Sequence, residues 1–281
     1  MSLVIKIENL KYDYDDVQAL RGIDLELRSG QTTVLLGVNG AGKTTLIKAL
    51  AGLIEGYSGR IVFEVDCQEI EIPKNEIGLM FEGNRSLFHK LTVIENLIYF
   101  SALKGVSKQV VLSEAPKILK SLGLEEAESK IFGKLSRGMQ QKVSLTSILL
   151  CKPKLLLLDE PTLGMDYLGV DTLIRVINEY SKGSICVLST HDLHLAKQVA
   201  CDVCLIEKGK VKGLIANIND IGTSDEFVIT AIDDKQIEFT METLKKDLIE
   251  SVSKVDLERI QSITTKTLSL EDFVRDYANM D

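Results

Sequence analysis

The chain has 281 residues, of which 45% are hydrophobic and 26% charged, with a formal net charge of −8. That length holds one large domain or two unequal ones, and the apolar content is enough for a proper core. The acidic balance argues against nucleic acid as the default partner, and no apolar run is long enough to span a bilayer.

The N-terminal segment Leu3–Glu8 reads as a strand rather than a signal peptide, which places the protein in the cytoplasm as an expectation. Further strands are expected at Ile23–Leu27, Arg60–Val65 and Ile77–Phe81. From Thr92 to about Leu150 the pattern turns helical. Thr92 with Glu95 forms a capping box at the start of one helix. Ser113, Glu114 and Pro116 predict the start of a second helix that runs to Leu122 and stops at Gly123. Ser136 opens a third.

Strands and helices then alternate: strand Leu155–Leu158, helix Val170–Tyr180, strand Ser184–Ser189, helix His194–Ala200. A hairpin through Lys208-Gly209-Lys210 closes the series. Continuous apolar strands alternating with helices predict a parallel sheet covered on both faces, split by a helical insertion. Beyond about Asp220 a small α+β appendage is expected. Its strands are Phe227–Ile232 and Gln236–Phe239, followed by a helical spacing of Met241, Leu244, Leu248 and Val252. A strand near Ile260–Ile263 and a last helix capped by Ser269 complete it, and no chemical motif lies there.

Five cysteines, at 67, 151, 186, 201 and 204, fit reduced thiols. Cys201 and Cys204 form a C-x-x-C without a second pair or a histidine cluster. They read as small core residues rather than a metal or redox site.

The chemistry begins at Gly37-Val38-Asn39-Gly40-Ala41-Gly42-Lys43-Thr44-Thr45. Two glycines four residues apart, then Lys and a hydroxyl residue, between a strand and a helix, match a phosphate-binding loop. Backbone N–H groups converge there on an anion, and the helix N-terminus adds partial positive charge. Lys43 reaches the outer phosphates and the Thr44 hydroxyl can ligate Mg²⁺. The bland alternative, a glycine turn before a helix, explains neither the Lys nor the context.

Leu155–Leu158 ends in Asp159 and Glu160. Ligands of parallel sheets bind at the carboxyl ends of strands. Asp159 is placed to hold Mg²⁺, and Glu160 to orient or deprotonate an attacking water. His191, at the end of a second apolar strand, would emerge beside them. His89 and His194 lack such company and read as ordinary histidines.

The segment Leu135-Ser136-Arg137-Gly138-Met139-Gln140 is a capped helix start with a second anion-ready set of amides. With it, the ordered set resembles the nucleotide-binding subunit of ATP-binding cassette (ABC) transporters, from about Ile5 to Ile215. The matching motifs are Walker A at Gly37–Thr45, the signature at Leu135–Gln140, Walker B at Leu155–Glu160, the loop Leu163–Asp166 and the switch His191.

The resemblance implies a phosphate-loop ATPase fold with an antiparallel β subdomain and a helical subdomain at about 92–150. The cassette would span 1–218 and the C-terminal α+β domain 219–281. It implies ATP and Mg²⁺ as ligands, hydrolysis coupled to transport, and a head-to-tail homodimer or heterodimer. Ser136 and Gly138 would then act in trans on the partner's nucleotide. Tyr14 falls where the family stacks a ring on adenine, with Tyr12 competing. Asp166 matches the loop that couples the two sites. Separate membrane permease subunits, docked near Glu82 to Leu97, would hold the chain at the inner face of the membrane.

Two departures stand out. Arg137 and Met139 replace the usual Gly and Gln of the signature. Glu82 stands where a Gln normally contacts Mg²⁺ or the lytic water; its carboxylate could bind the metal or repel the phosphates. The run Glu82-Gly83-Asn84-Arg85 resembles a variant of exporter-type cassettes, and the length and C-terminal appendage fit a two-component exporter better than a long-tailed sugar importer. The rival reading is a soluble ABC-type ATPase of translation or DNA repair, against which the single cassette and the absence of sustained heptads argue. A nucleotide sensor without useful hydrolysis is a third.

Overall fold

The computed structural model describes residues 3–81, 87–165, 167–199, 202–215, 226–232, 238–244 and 260–265. Two compact units divide the chain, Met1–Ile218 and Asn219–Asp281.

The first unit contains two sheets. The antiparallel one is formed by β1 (Leu3–Tyr14), β2 (Val17–Arg28), β4 (Ser58–Val65) and β5 (Gln68–Ile70), in the order β2-β1-β4-β5. Its first two strands are twice as long as the apolar alternation suggests. Register shifts between Ile7 and Leu10 and between Tyr12 and Asp13 carry the ladder through polar stretches.

The second sheet is built on β3 (Thr32–Leu36), β6 (Ile77–Met80), β7 (Leu155–Asp159), β8 (Ile185–Thr190), β9 (Asp202–Glu207) and β10 (Lys210–Ile215). Its order is β10-β9-β3-β8-β7-β6. All of these pairs are parallel except the closing hairpin β9–β10. Strands β3, β7 and β8 are buried at every residue, as the unbroken apolar runs require of a covered parallel sheet.

Helix α1 (Lys43–Leu50) follows β3. Its Leu46, Ile47 and Leu50 join Ile5, Leu10, Ile23 and Leu27 of the antiparallel sheet and Leu155, Leu157 and Ile185 of the parallel one in a single apolar cluster. This packing fixes the phosphate loop, which lies directly between β3 and α1.

The helical insertion has a core of its own, made by Val93, Leu97, Val111, Leu119, Phe132 and Val143. It contains α2 (Val93–Leu103), α3 (Lys108–Ser121) and α4 (Arg137–Leu149). The capping box at α2 is present. Glu95 N–H donates to Thr92 Oγ1 at 3.3 Å, and Thr92 N–H donates to Glu95 Oε2 at 2.8 Å.

Helix α3 corrects the sequence expectation. It starts at Lys108, capped by Ser107, and runs straight through Pro116. Ser113 does not cap; its hydroxyl donates back to Val110 O at 3.0 Å. An interior proline costs roughly 3 kcal/mol. Full burial of Val111 and Leu119, at about 1.5–3 kcal/mol for each such side chain, offsets it.

Helices α5 (Tyr167–Ser181) and α6 (Leu193–Gln198) complete the first unit. In the second unit, β11 (Glu226–Ile232) pairs with β12 (Glu238–Leu244) and β13 (Ile260–Thr265). Met241 and Leu244 thus belong to a strand, not to the expected helix. Thr240 and Thr243 suit a strand, and pairing of Ile229 with Met241 decides the matter. Leu248, Val252 and the helix capped by Ser269 lie outside the described residues.

Candidate functional site

The carboxyl ends of β3, β7 and β8 meet at the phosphate loop. Strands β3 and β8 run in register to Leu36 and Thr190, and β7 and β8 to Asp159 and Ser189. The three chemistry-bearing segments therefore leave the sheet side by side. Gly37 N–H donates to Thr190 O at 3.3 Å, tying the loop's first residue to the strand that delivers His191.

Gly42 ends the loop as the N-cap of α1, with φ 110°. A side chain there would be strained, and a Cβ would come within 2.7 Å of Ala19 O. Lys43 folds back over the loop. Its ammonium donates to Gly37 O at 2.7 Å and to Val38 O at 3.2 Å. Burial pulls its pKa below the ordinary lysine value, against the opposing pull of Glu160 and Asp159. Val38, Asn39 and Gly40 are exposed at the loop's rim, and Ala41 and Thr45 are buried beneath it.

Asp159 is buried at the end of β7. Thr44 Oγ1 donates to its Oδ2 at 2.8 Å, and Ser189 Oγ donates to its Oδ1. These are hard oxygens of the kind Mg²⁺ takes. No group of three or more His, Cys, Asp or Glu side chains suited to a metal occurs among the described residues. Mg²⁺ needs none: it binds through one or two protein oxygens and keeps waters and phosphate oxygens for the rest. Thr44 and Asp159 fit that pattern.

Glu160 has φ 47°, in the left-handed region that non-glycine residues seldom occupy. Such strain, of order 1–3 kcal/mol, collects at functional sites. Its backbone N–H is shared between Ser189 O at 3.2 Å and Ser189 Oγ at 3.1 Å. Its Oε1 lies 2.9 Å from His191 Nδ1 and 3.8 Å from Lys43 Nζ. An ionised carboxylate only accepts, so the imidazole hydrogen of this pair belongs on Nδ1. Asp192 N–H donates to Thr190 Oγ1 at 2.9 Å and fixes the bend after β8.

Tyr14 is exposed on β1, 39% of its surface open, while Tyr12 packs against the main apolar cluster. The two rings meet edge to face at 4.8 Å, and Lys48 Nζ lies 5.9 Å from the Tyr14 ring centre. Of the two candidates, Tyr14 has the open face.

Ser136 caps α4, its Oγ accepting from Met139 N–H at 3.3 Å. The nearest atoms to a side chain at Gly138 would belong to Gly164 and Met165, in the loop after β7. The signature and that loop thus form one surface, with Ser136 and Arg137 exposed. Met139 packs against the helical core, which accounts for an apolar residue in that position. Glu82 and Asp166 lie outside the described residues.

The lesser expectations resolve simply. His89 packs edge-on against Phe132, 5.6 Å between ring centres. The side chain of His194 lies outside the described set. Cys204 is buried, and burial pushes its thiol up to about 12, an inert core residue; Cys201 is not described. Two residues escaped the sequence reading. Ser189 is a fully buried hydroxyl closing an apolar strand, and its polarity next to Thr190-His191 was the available signal. Gly209, in the β9–β10 turn, donates its N–H to Ala41 O at 2.8 Å; spacing gives no sign of that contact.

Comparisons with known proteins agree on the family. The profile described as "ABC transporter" matches residues 20–163. A second, described as an AAA domain, putative AbiEii toxin, Type IV TA system, matches residues 131–197. The energy-coupling factor transporter ATP-binding protein EcfA of Methanosphaera stadtmanae is 32% identical over 220 residues, 75% of this chain and 78% of that protein. The arginine transport ATP-binding protein ArtP of Haemophilus influenzae is 34% identical over 221 residues, 74% of this chain and 90% of that protein. The solved structure of cbiO1 from Clostridium perfringens, described as part of the ABC transporter complex cbiONQ, aligns with TM-score 0.68 at 28% identity. That alignment covers 79% of this chain and 91% of the other. Fold, motifs and relatives together place the chain in the ABC transporter family, as an ATP-hydrolysing, ATP-binding subunit.

Proposed function

We propose that this chain is a motor subunit that clamps on ATP with a second nucleotide-binding subunit and drives separate membrane-spanning subunits. One observation carries the reading: Lys43, Thr44, Asp159, Glu160 and His191 converge from three adjacent strand ends.

In this reading the amides of Asn39 to Thr45 and the Lys43 ammonium hold the phosphates. Lys43 gives up its loop carbonyls for phosphate oxygens, and its burial keeps water from competing. Thr44 and Asp159 hold Mg²⁺, which when bound supplies charge neutralisation at the phosphates. Glu82 is proposed as a further metal contact. Glu160 takes a proton from the attacking water, and His191 holds the carboxylate in place through Nδ1. Tyr14 stacks on the adenine. The exposed Ser136 and the half-buried Gly138 of a second copy close over the triphosphate, with Asp166 linking the two sites across the dimer.

The helical unit offers the docking face for the membrane partner. Phe88, Tyr99 and Leu103 are 47%, 46% and 66% exposed, and the Phe88 and Tyr99 rings lie 5.2 Å apart. Apolar side chains grouped in this way mark interaction sites. Buried Asn96 holds the segment in shape. Its amide donates to Phe88 O and Thr92 O, both at 3.0 Å, and accepts from Phe88 N–H at 2.7 Å.

Among the described residues no helix is long and apolar enough to cross a membrane, so the proposal places the chain at the inner face of the cell membrane through its partners. Export finds no support among the relatives, whose printed roles are energy coupling and arginine transport. The proposal therefore carries no direction. Those names also favour transport over translation or DNA repair.

Isolation of the tagged chain from its native membranes tests the reading. Co-purification with a multi-span membrane protein, lost in the Phe88→Asp/Tyr99→Asp double variant, is the expected result. A chain that never co-fractionates with a membrane protein, yet hydrolyses ATP at full rate, contradicts it.

A further inference from the structure

Strand β8 is apolar from Ile185 to Leu188 and then ends in two hydroxyls, Ser189 and Thr190. Ser189 is fully buried. A buried hydroxyl is destabilising unless its hydrogen bonds are made. Ser189 makes them to two residues that adjoin in the chain. It donates to Asp159 Oδ1 and accepts, through the same oxygen, the N–H of Glu160 at 3.1 Å.

We propose that Ser189 is a positioning residue that orients Asp159 toward the metal and holds the strained backbone of Glu160. The proposal rests on the reading of Thr44 and Asp159 as Mg²⁺ holders. Among the described residues Asp159 has one donor on each oxygen, Thr44 on Oδ2 and Ser189 on Oδ1. These donors are not equivalent. Thr44 is itself a candidate ligand, so its oxygen would be shared between the cation and the bond to Asp159. Ser189 faces away from solvent and has no such second duty. Among the described donors to Asp159, it holds the carboxylate without sharing its oxygen with the cation.

The same hydroxyl bears on Glu160. Among the described residues its N–H has two acceptors, both on Ser189. Removal of Oγ leaves only the backbone oxygen at 3.2 Å to hold a residue at φ 47°. Loss of one oxygen atom would thus loosen the metal-holding carboxylate and the catalytic one together. Neither effect requires Ser189 to touch nucleotide, water or metal.

Binding of a non-hydrolysable ATP analogue, measured by calorimetry with and without Mg²⁺, tests this in the full chain. In Ser189→Ala, metal-free affinity should stay within about twofold of wild type, while the gain on adding Mg²⁺ falls about tenfold. Ser189→Thr, which keeps the hydroxyl, should restore the gain. An unchanged Mg²⁺ gain in Ser189→Ala overturns the proposal. Equal losses in Ala and Thr variants place the effect in packing and also overturn it. If Ser189→Ala does not fold, Ser189→Cys, slightly larger and with only a weak donor, replaces it against Ser189→Thr, with the same outcomes. A wild-type chain without any Mg²⁺ gain removes the metal reading itself, a result distinct from failure at Ser189 alone.

Discussion

His191 Nδ1 lies 2.9 Å from Glu160 Oε1, although the two residues are separated by 31 positions in the chain. Parallel pairing of β7 with β8 brings them together, because Asp159 and Ser189 are opposite one another in the register. The carboxylate end of one strand and the imidazole after the next are therefore neighbours by construction. A one-residue slip of either strand would separate them.

That relationship predicts the outcome of Glu160→Gln. The amide keeps the size but is a far poorer base. ATP turnover should fall by about 10²–10⁴-fold, the usual worth of a positioned general base, while ATP binding persists. Equilibrium binding measured beside phosphate release checks both halves. Equal turnover in variant and wild type removes Glu160 from the chemistry and leaves the nucleotide-sensor reading.

The phosphate loop is also held from outside. Gly209 N–H donates to Ala41 O and Gly209 O accepts from Arg21 N–H, each at 2.8 Å. Gly209 has φ 77°, and a Cβ there would come within 2.6 Å of Ala19 O. Gly209→Ala should cost about 1–3 kcal/mol of stability through strain and weaken ATP binding by loosening Ala41. Gly105 has φ 85° in open space. Gly105→Ala bears the backbone strain alone, so its ATP affinity should match wild type. Thermal melts with and without ATP separate the two effects.

Acid stability gives a signed test of the helical unit. The Thr92 N–H and hydroxyl hold the Glu95 carboxyl below its ordinary value of 4.5. The native state therefore binds fewer protons than the unfolded one between the two pKa values. The stabilisation is present above the ordinary value and is lost as pH falls through the depressed one. Glu95→Gln should flatten that limb: the gap between wild-type and variant melting temperatures narrows as pH drops toward acid. A gap constant with pH contradicts the assignment.

Much of this was legible in the residues, for reasons that can be named. The phosphate loop, the apolar strands β7 and β8 and the Thr92 capping box are local patterns, each complete within about ten residues. The start of α3 was misread because Ser113 and Pro116 imitate a helix start, while Ser107 does the capping and burial of Val111 and Leu119 overrides the proline. Met241 and Leu244 suggest a helix because a three-residue spacing suits one helix face, while the pairing of Met241 with Ile229 that decides for a strand is not local. For the same reason Ser189 gives only its polarity beside Thr190-His191 as a local sign of being a site residue, and Gly209 gives none. Their partners, Asp159 and Ala41, are 30 and 168 positions away, and only register and loop packing bring them into contact.

Completion of the site by a second copy can be read from a mixture of two inactive variants. Lys43→Ala loses its own phosphate grip but keeps a sound Ser136–Gly138 surface; Gly138→Asp keeps Lys43 but spoils that surface. In a head-to-tail pair, one of the two sites in the mixed dimer regains every part. Each variant alone should fail to hydrolyse ATP, and the mixture should recover activity with increasing protein concentration. A mixture as inactive as its components contradicts it.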